Sequence, residues 1–228
     1  MTEEIKIRKK IKIILIGNVS VGKTCFIHYY STGQFLEHIP PSVGSSFHDV
    51  IMPLDNKNYS LNFWDTAGSE KYNSLTKIFT KKAKIVILVY SIVDRKSFEN
   101  LDNWLNIVKE NNGDDGYVIG VAANKNDLYK NATVTDKEGE KYAKKHNAIF
   151  KKTSVKDKVG IKELVEELVK EYLDLYKNPN ETYSIDPKTL KKGSIIKPQK
   201  KGCCPSSKGN NNPHQNNNDG LEQNSIEM

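Results

Sequence analysis

Lys12-Ile13-Ile14-Leu15-Ile16, running straight into Gly17-Asn18-Val19-Ser20-Val21-Gly22-Lys23-Thr24, decides the reading of this chain. The first stretch is a short apolar run of the kind that makes a buried parallel strand. The second is a loop bounded by glycines, in the pattern G-x-x-x-x-G-K-T. A strand feeding such a loop and then a helix aims successive backbone N–H groups and the helix N-terminus at one point. That geometry suits a polyphosphate. Lys23 would reach the β- and γ-phosphates, and the Thr24 hydroxyl would ligate Mg²⁺. Residues Gly17 to Thr24 are therefore candidate phosphate contacts. Cys25 adjoins them, and its place early in the first helix also suits a small packing residue.

The chain has 228 residues, enough for one domain of ordinary size and a tail. Apolar periodicity ends near residue 177. We expect an N-terminal extension over 1–9, the domain over 10–177, and a disordered, Asn-, Lys-, Pro- and Ser-rich tail over 178–228. Net charge is +7, yet Arg8 and Arg95 are the only arginines. A nucleic-acid surface usually mixes arginine and aromatics with its lysines, so these lysines read as solvated helix faces and one tail cluster. Of three cysteines, Cys203 and Cys204 are adjacent, which makes no disulfide framework. No signal peptide or membrane-spanning run is apparent, and Ile11 to Ile16 is too short to be one. The expected location is reducing and cytosol-facing. The sequons at Asn131 and Asn180 then carry no weight, and no internal repeat is seen.

Apolar runs at 11–16, 85–90 and 117–123 predict buried parallel strands, with another over 148–152. Segments 47–54 and 59–64 alternate around Asp55-Asn56-Lys57-Asn58, a hairpin signal that puts one antiparallel strand at the edge. Helical spacing appears at 22–33, 70–81, 95–111, 136–147 and 159–177, the last with Ile161, Leu164, Val165, Leu168, Tyr172 and Leu173 on one face. The expected fold is α/β: a doubly wound, mostly parallel six-stranded sheet with one antiparallel edge strand. Ligands of such sheets sit at the carboxyl ends of the strands, where Gly17, Asp65, Asn124 and Ser154 all fall.

Asp65-Thr66-Ala67-Gly68 closes the second hairpin strand. Its aspartate can hold Mg²⁺ through water, and the Gly68 N–H can reach a γ-phosphate. Asn124-Lys125-Asn126-Asp127 follows the strand at 117–123. Guanine offers N1–H and the N2 amino group to the Asp127 carboxylate; adenine offers neither at that edge. A carboxylate left without donors is costly, so this element rejects ATP more than it attracts GTP. Thr153-Ser154-Val155-Lys156, at the next strand end, can add a backbone N–H for guanine O6.

These four motifs in this order resemble the Ras superfamily of small GTPases over residues 10–177. Within it Val43-Gly44-Ser45-Ser46-Phe47, Trp64-Asp65-Thr66-Ala67-Gly68-Ser69-Glu70-Lys71-Tyr72 and Leu88-Val89-Tyr90-Ser91-Ile92 are similar to stretches that mark the Rab branch. The resemblance implies a switch that binds GTP or GDP with Mg²⁺ and recruits effectors in membrane traffic, at the cytosolic face of an endomembrane. It implies an exchange factor, a GTPase-activating protein and effectors as partners, and a monomer. Phe47, Trp64 and Phe79 fall at the spacing of the aromatic triad that Rab effectors read, although packing alone is a competing explanation. Ser42 stands where the family has its switch threonine, a second Mg²⁺ ligand. Phe35 matches the aromatic that covers guanine and ribose. Lys23, Ser42, Gly68 and Ser69 form the catalytic set.

Two departures bear on hydrolysis. The family's D-T-A-G-Q-E appears here as Asp65-Thr66-Ala67-Gly68-Ser69-Glu70. The glutamine orients the attacking water in the Ras case, and Ser69 is too short for that. Val19, stiff and β-branched, crowds the space of the water-positioning residue and of an incoming arginine finger. The expectation is normal GTP binding and slow hydrolysis, with a nearly inactive, GTP-loaded binding module as the alternative. Activating proteins similar to the TBC family bring their own glutamine as well as an arginine, which leaves Val19 the harder obstacle. An ATP-using enzyme would require ignoring Asp127.

The tail is a third departure. Lys188, Lys191, Lys192, Lys197, Lys200 and Lys201 lead to Gly202-Cys203-Cys204. Rab-like proteins usually end in such a pair carrying two geranylgeranyl groups, and two chains anchor where one does not. Here the chain continues to Ile226-Glu227-Met228, which is not a C-a-a-X box. Prenylation, palmitoylation, proteolytic trimming and a soluble tail with incidental cysteines all stay open. The histidines (28, 38, 48, 146 and 214) show no metal-ligand spacing.

Overall fold

The computed structural model of the chain describes residues 5–36, 45–66, 78–112, 116–176 and 183–185. Chain contacts divide it at Ile195/Ile196, and all the described residues fall in the first unit. The elements are β1 (Ile5–Ile16), α1 (Lys23–Thr32), β2 (Ser45–Leu54), β3 (Lys57–Thr66), β4 (Ile85–Ser91), α2 (Arg95–Glu99), α3 (Leu101–Asn112), β5 (Val118–Asn124), a 3₁₀ turn (Asn126–Asn131), α4 (Asp136–Lys145), β6 (Ile149–Lys152), α5 (Ile161–Leu175) and β7 (Tyr183–Ile185). The expected helix over 70–81 survives as a helical stretch at 78–80, its earlier part lying outside the described residues.

The sheet runs β2-β3-β1-β4-β5-β6. Strands β3, β1, β4, β5 and β6 are parallel, and β2 is the antiparallel edge. β4 is buried along its whole length, as a strand covered on both faces must be. One face packs Ile11, Ile13, Leu15, Ile85, Ile87 and Val89 under α1 and α5; the other packs Ile14, Val86, Leu88 and Tyr90 under α3 and α4. This is the doubly wound arrangement expected.

The hairpin turn is tighter than the four residues anticipated. Asp55 and Asn56 alone make it, with φ of 48° and 57°. Two successive positive φ values match the twist of the flanking strands, and short polar side chains tolerate them best. The helix expected over 95–111 is two helices meeting at Asn100 (φ −83°, ψ 0°). Asp94 starts the first by accepting a hydrogen bond from the Ser97 N–H at 3.3 Å.

The sheet also reaches into both segments expected to lie outside the domain. β1 begins at Ile5, well inside the expected extension 1–9, and bulges between Ile7 and Lys9. The charged run Arg8-Lys9-Lys10 breaks the apolar signal, and the ladder skips Arg8 and resumes with Lys9 opposite Tyr59. Lys9 is anchored instead over the Tyr172 ring, 5.1 Å from its centroid. β7, inside the expected tail, pairs antiparallel with β1: Ile5 with Ile185, Lys6 with Ser184, Ile7 with Tyr183. The reason lies in the strand edge. β4 covers β1 only from Ile13 to Ile16, so the early backbone groups of β1 need another partner. A seventh strand, short and lacking periodicity, therefore joins the six anticipated.

Candidate nucleotide site

The site is built at the carboxyl ends of β1, β3, β5 and β6. Gly17 leaves β1 at φ 152°, where an added Cβ would lie 2.1 Å from the Val89 carbonyl oxygen. The loop turns through Ser20 (φ 62°) and enters α1 at Gly22 (φ 100°). A Cβ on Gly22 would meet Asn124 Nδ2 at 2.4 Å. Both glycines of the motif are therefore demanded by close approach as well as by backbone conformation. Gly22 supplies no side-chain cap to α1, so the first N–H groups of that helix keep their donors for a ligand.

Lys23 is 5% exposed. Its ammonium donates to the carbonyls of Gly17 and Asn18, each at 2.8 Å. Burial lowers its pKa to about 8, opposed by the charge of Asp65. Thr24 Oγ1 donates to Asp65 Oδ2 at 2.7 Å, and Asp65 is fully buried. The next residue, Thr66, donates its hydroxyl to the Leu15 carbonyl at 2.7 Å, tying the end of β3 to β1. A hydroxyl and a carboxylate held together beside a phosphate loop are oxygen donors suited to Mg²⁺, which prefers one or two protein oxygens plus phosphate and water. Among the described residues no group of three or more acidic, His or Cys side chains could hold a metal alone.

Asn124, Asp127 and Ser154 lie together at the ends of β5 and β6, with a division of labour that spacing did not show. Asn124 is 2% exposed and works as a brace: its Nδ2 donates to the Val21 carbonyl at 2.7 Å, and its Oδ1 accepts from Thr153 Oγ1 at 3.1 Å. Lys125 takes a left-handed conformation (φ 62°), and the Asn126 N–H returns to the Thr153 carbonyl at 3.0 Å. Asp127 Oδ1 accepts from Ser154 Oγ at 2.8 Å, while that hydroxyl accepts from the Asp157 N–H at 3.0 Å. The sequence predicts that Ser154 offers its backbone toward a base; in the structure its side chain donates to the Asp127 carboxylate. No sequence signal marked that contact, since the two residues stand 27 positions apart. Val155 is buried in the α1/α5 core and Lys156 is exposed.

Val19 is 54% exposed, on the rim of the loop, and Phe35 is exposed a turn beyond α1. Cys25 is half-buried against the core, and burial raises its thiol pKa. Phe47 meets Trp64 edge-on at 5.3 Å between ring centroids, and Trp64 stacks on Phe79 at 5.3 Å. Lys12 Nζ sits 4.7 Å from the Trp64 centroid and donates to the Lys81 carbonyl at 2.8 Å. Desolvation lowers its pKa to about 8. The sequence reading missed this lysine because nothing in a strand's alternation shows which ring it will cover. Ser42, Gly68, Ser69, Cys203 and Cys204 lie outside the described residues.

Comparison with known proteins gives a consistent result. A family model described as "Ras family" matches residues 12–174. Ras-related protein Rab-11B of Dictyostelium discoideum is 37% identical over 176 residues, covering 77% of this chain and 80% of that protein. Ras-related protein Rab-13 of Bos taurus is 34% identical over 191 residues, covering 82% and 94%. Ras-related protein Rab-18 of Caenorhabditis briggsae is 34% identical over 182 residues, covering 78% and 90%.

Proposed function

The chain belongs to the Ras family, as a small GTPase of the Rab-like branch, and from that premise we propose that it is a monomeric GTP/GDP switch that recruits effectors in vesicle traffic and hydrolyses GTP slowly. The observation that carries the switch is the convergence of Lys23, the Thr24–Asp65 pair and the Asp127–Ser154 pair at one end of the sheet. Lys23 directs its charge to the β- and γ-phosphates, and Asp127 accepts from guanine N1–H and N2. The Ser154-Val155-Lys156 backbone faces O6, and Phe35 covers the ring. Thr24, Asp65 and Ser42 would hold Mg²⁺, which neutralises charge on the phosphate oxygens. Water attacks the γ-phosphorus in line, a bond forms to its oxygen, and the bond to the β-bridging oxygen breaks.

Slow turnover follows from who aligns that water. Gly68 offers a backbone N–H to the γ-phosphate, but Ser69 lacks the reach of a glutamine amide. Val19 projects from the loop rim where an arginine finger would enter. That exposed valine also supports a second reading, a GTP-loaded binding module whose turnover is immaterial. Nucleotide extracted from protein purified from its own cells separates the two: mostly GDP supports the switch, mostly GTP the module. Single-turnover hydrolysis at the rate of an ordinary Rab would overturn the slow-turnover proposal.

The aromatic cluster Phe47, Trp64 and Phe79 is the proposed effector surface. Exchange factor and activating protein would act on the segments around 35–47 and 66–80, which γ-phosphate and Mg²⁺ would order. Cys203 and Cys204 are proposed lipidation sites beside a lysine cluster attracted to anionic lipid. Mass spectrometry of the native C-terminus tests this directly, since unmodified cysteines would refute it. The described residues contain no helix long and apolar enough to cross a membrane.

A further inference from the structure

Two side chains outside every nucleotide motif hold the second residue of the glycine loop. Asn18 Oδ1 accepts from Asn100 Nδ2 at 2.7 Å and from Trp104 Nε1 at 2.7 Å. Asn100 is itself oriented, because its Oδ1 accepts from Asn103 Nδ2 at 2.5 Å. Trp104 is 2% exposed, its ring packed beneath α3 in the core with Leu101, Leu105 and Val108. An indole N–H only donates, and a buried one needs an acceptor. Turning the Asn18 amide over would point its NH₂ at two donors, so the network itself dictates which atom faces the helix.

On its other side Asn18 faces the ligand machinery. Its backbone carbonyl is one of the two that receive the Lys23 ammonium. A side chain pinned by two convergent hydrogen bonds limits rotation of its own backbone, and hence the direction of that carbonyl. Satisfying the indole alone would need any acceptor. Two donors meeting on one oxygen fix its direction as well.

We infer that Asn100 and Trp104 are positioning residues for nucleotide binding: through Asn18 they aim the carbonyl that aims Lys23 at the phosphates. The inference rests on the nucleotide-binding reading above. The break between α2 and α3 belongs to the same device, since it places Asn100 at the helix junction facing the loop.

The test is release of radiolabelled GDP from the full chain in Mg²⁺, with the thermal midpoint of each variant measured alongside. Trp104→Phe keeps the ring and deletes the N–H, and Asn100→Ala deletes the other donor at a partly exposed position. Each should release GDP about three- to tenfold faster, the loss of one hydrogen bond. Asn18→Leu, which removes the acceptor, should release it faster still. In that background Trp104→Phe should change release less than about twofold, because its partner is already gone. Equal acceleration in both backgrounds would mean the tryptophan acts by packing, and would overturn the inference. Wild-type release rates in both single variants would do the same. Should Trp104→Phe fail to fold, Asn100→Ala decides the outcome alone. A wild-type chain that holds no GDP would overturn the nucleotide reading and this inference together, a result distinct from a wild type that binds and variants that match it.

Discussion

Thr24 Oγ1 donates to Asp65 Oδ2 at 2.7 Å, joining the first turn of α1 to the carboxyl end of β3. The contact spans 41 positions of sequence and sets a hydroxyl and a carboxylate on one side of the phosphate loop. Thr24→Val keeps the shape and removes the hydroxyl. Release of GDP from wild type should speed up when Mg²⁺ is chelated. In the variant, release should already be at least about tenfold faster with Mg²⁺ present and respond weakly to chelation. A variant with the wild-type response to chelation would remove Thr24 from the ion's ligands.

The Asp127–Ser154 hydrogen bond predicts how base selectivity fails. Asp127→Ala should weaken GTP binding more than about a hundredfold and strengthen weak ATP binding, since the carboxylate that adenine leaves without donors is gone. Ser154→Ala should cost GTP about three- to tenfold, because the carboxylate loses the donor that orients it. Competition of unlabelled nucleotides against a fluorescent guanine nucleotide measures both.

Val19 and Ser69 should be separable in single-turnover assays with preloaded GTP. Ser69→Gln alone should raise intrinsic hydrolysis by about tenfold or more by restoring a side chain able to orient water. Val19→Gly should add to that effect, and should raise the response to an activating protein's arginine further. GTP affinity should change little in either variant. A hydrolysis rate unmoved by both would place the slow step elsewhere.

Lys12 carries a pH signature. Its folded-state pKa is lowered to about 8, from an ordinary value of 10.5, by desolvation beneath Trp64. Between those values the unfolded chain binds more protons than the folded one, so stability attributable to this group rises with pH across that window. Below pH 8 the cost of holding the charge is fully present. Comparing wild type with Lys12→Met by denaturation from pH 7 to 10 isolates the group: the difference in stability should shift in favour of the wild type as pH rises. Trp64 emission in Trp104→Phe protein should change with a midpoint near pH 8, and Lys12→Met should abolish that change.

The parts of the site written as contiguous side-chain chemistry were legible in sequence. Gly17 to Thr24, Asp65 and Asp127 need only local order and a strand end, and all three motifs meet in the structure. The supporting contacts were not. Asn124 bracing Val21, Ser154 orienting Asp127 and Trp104 reaching Asn18 depend on how separate elements come to rest against each other. A buried tryptophan on an apolar helix face reads as core, and it is core; its single polar atom carries the extra information. The strands followed the same logic. β4 and β5 announce themselves as apolar runs, whereas β7 has three residues and exists because β1 outruns β4.

That pairing of Ile5 with Ile185 leaves the two extremities of the sheet's chain path side by side, about 5 Å apart as neighbouring strands are. They lie at the opposite end of β1 from Gly17, roughly 35 Å along the strand. The Asp55-Asn56 turn is at that same far end, since β3 runs parallel to β1 and carries Asp65 at its other end. A circular permutant can therefore join 185 to 5 through a short linker and open the chain between Asp55 and Asn56. All the phosphate- and base-facing loops stay uncut. Retention of GDP by such a permutant would show that the order in which the polypeptide visits its strands is separable from the assembly of the site at their carboxyl ends.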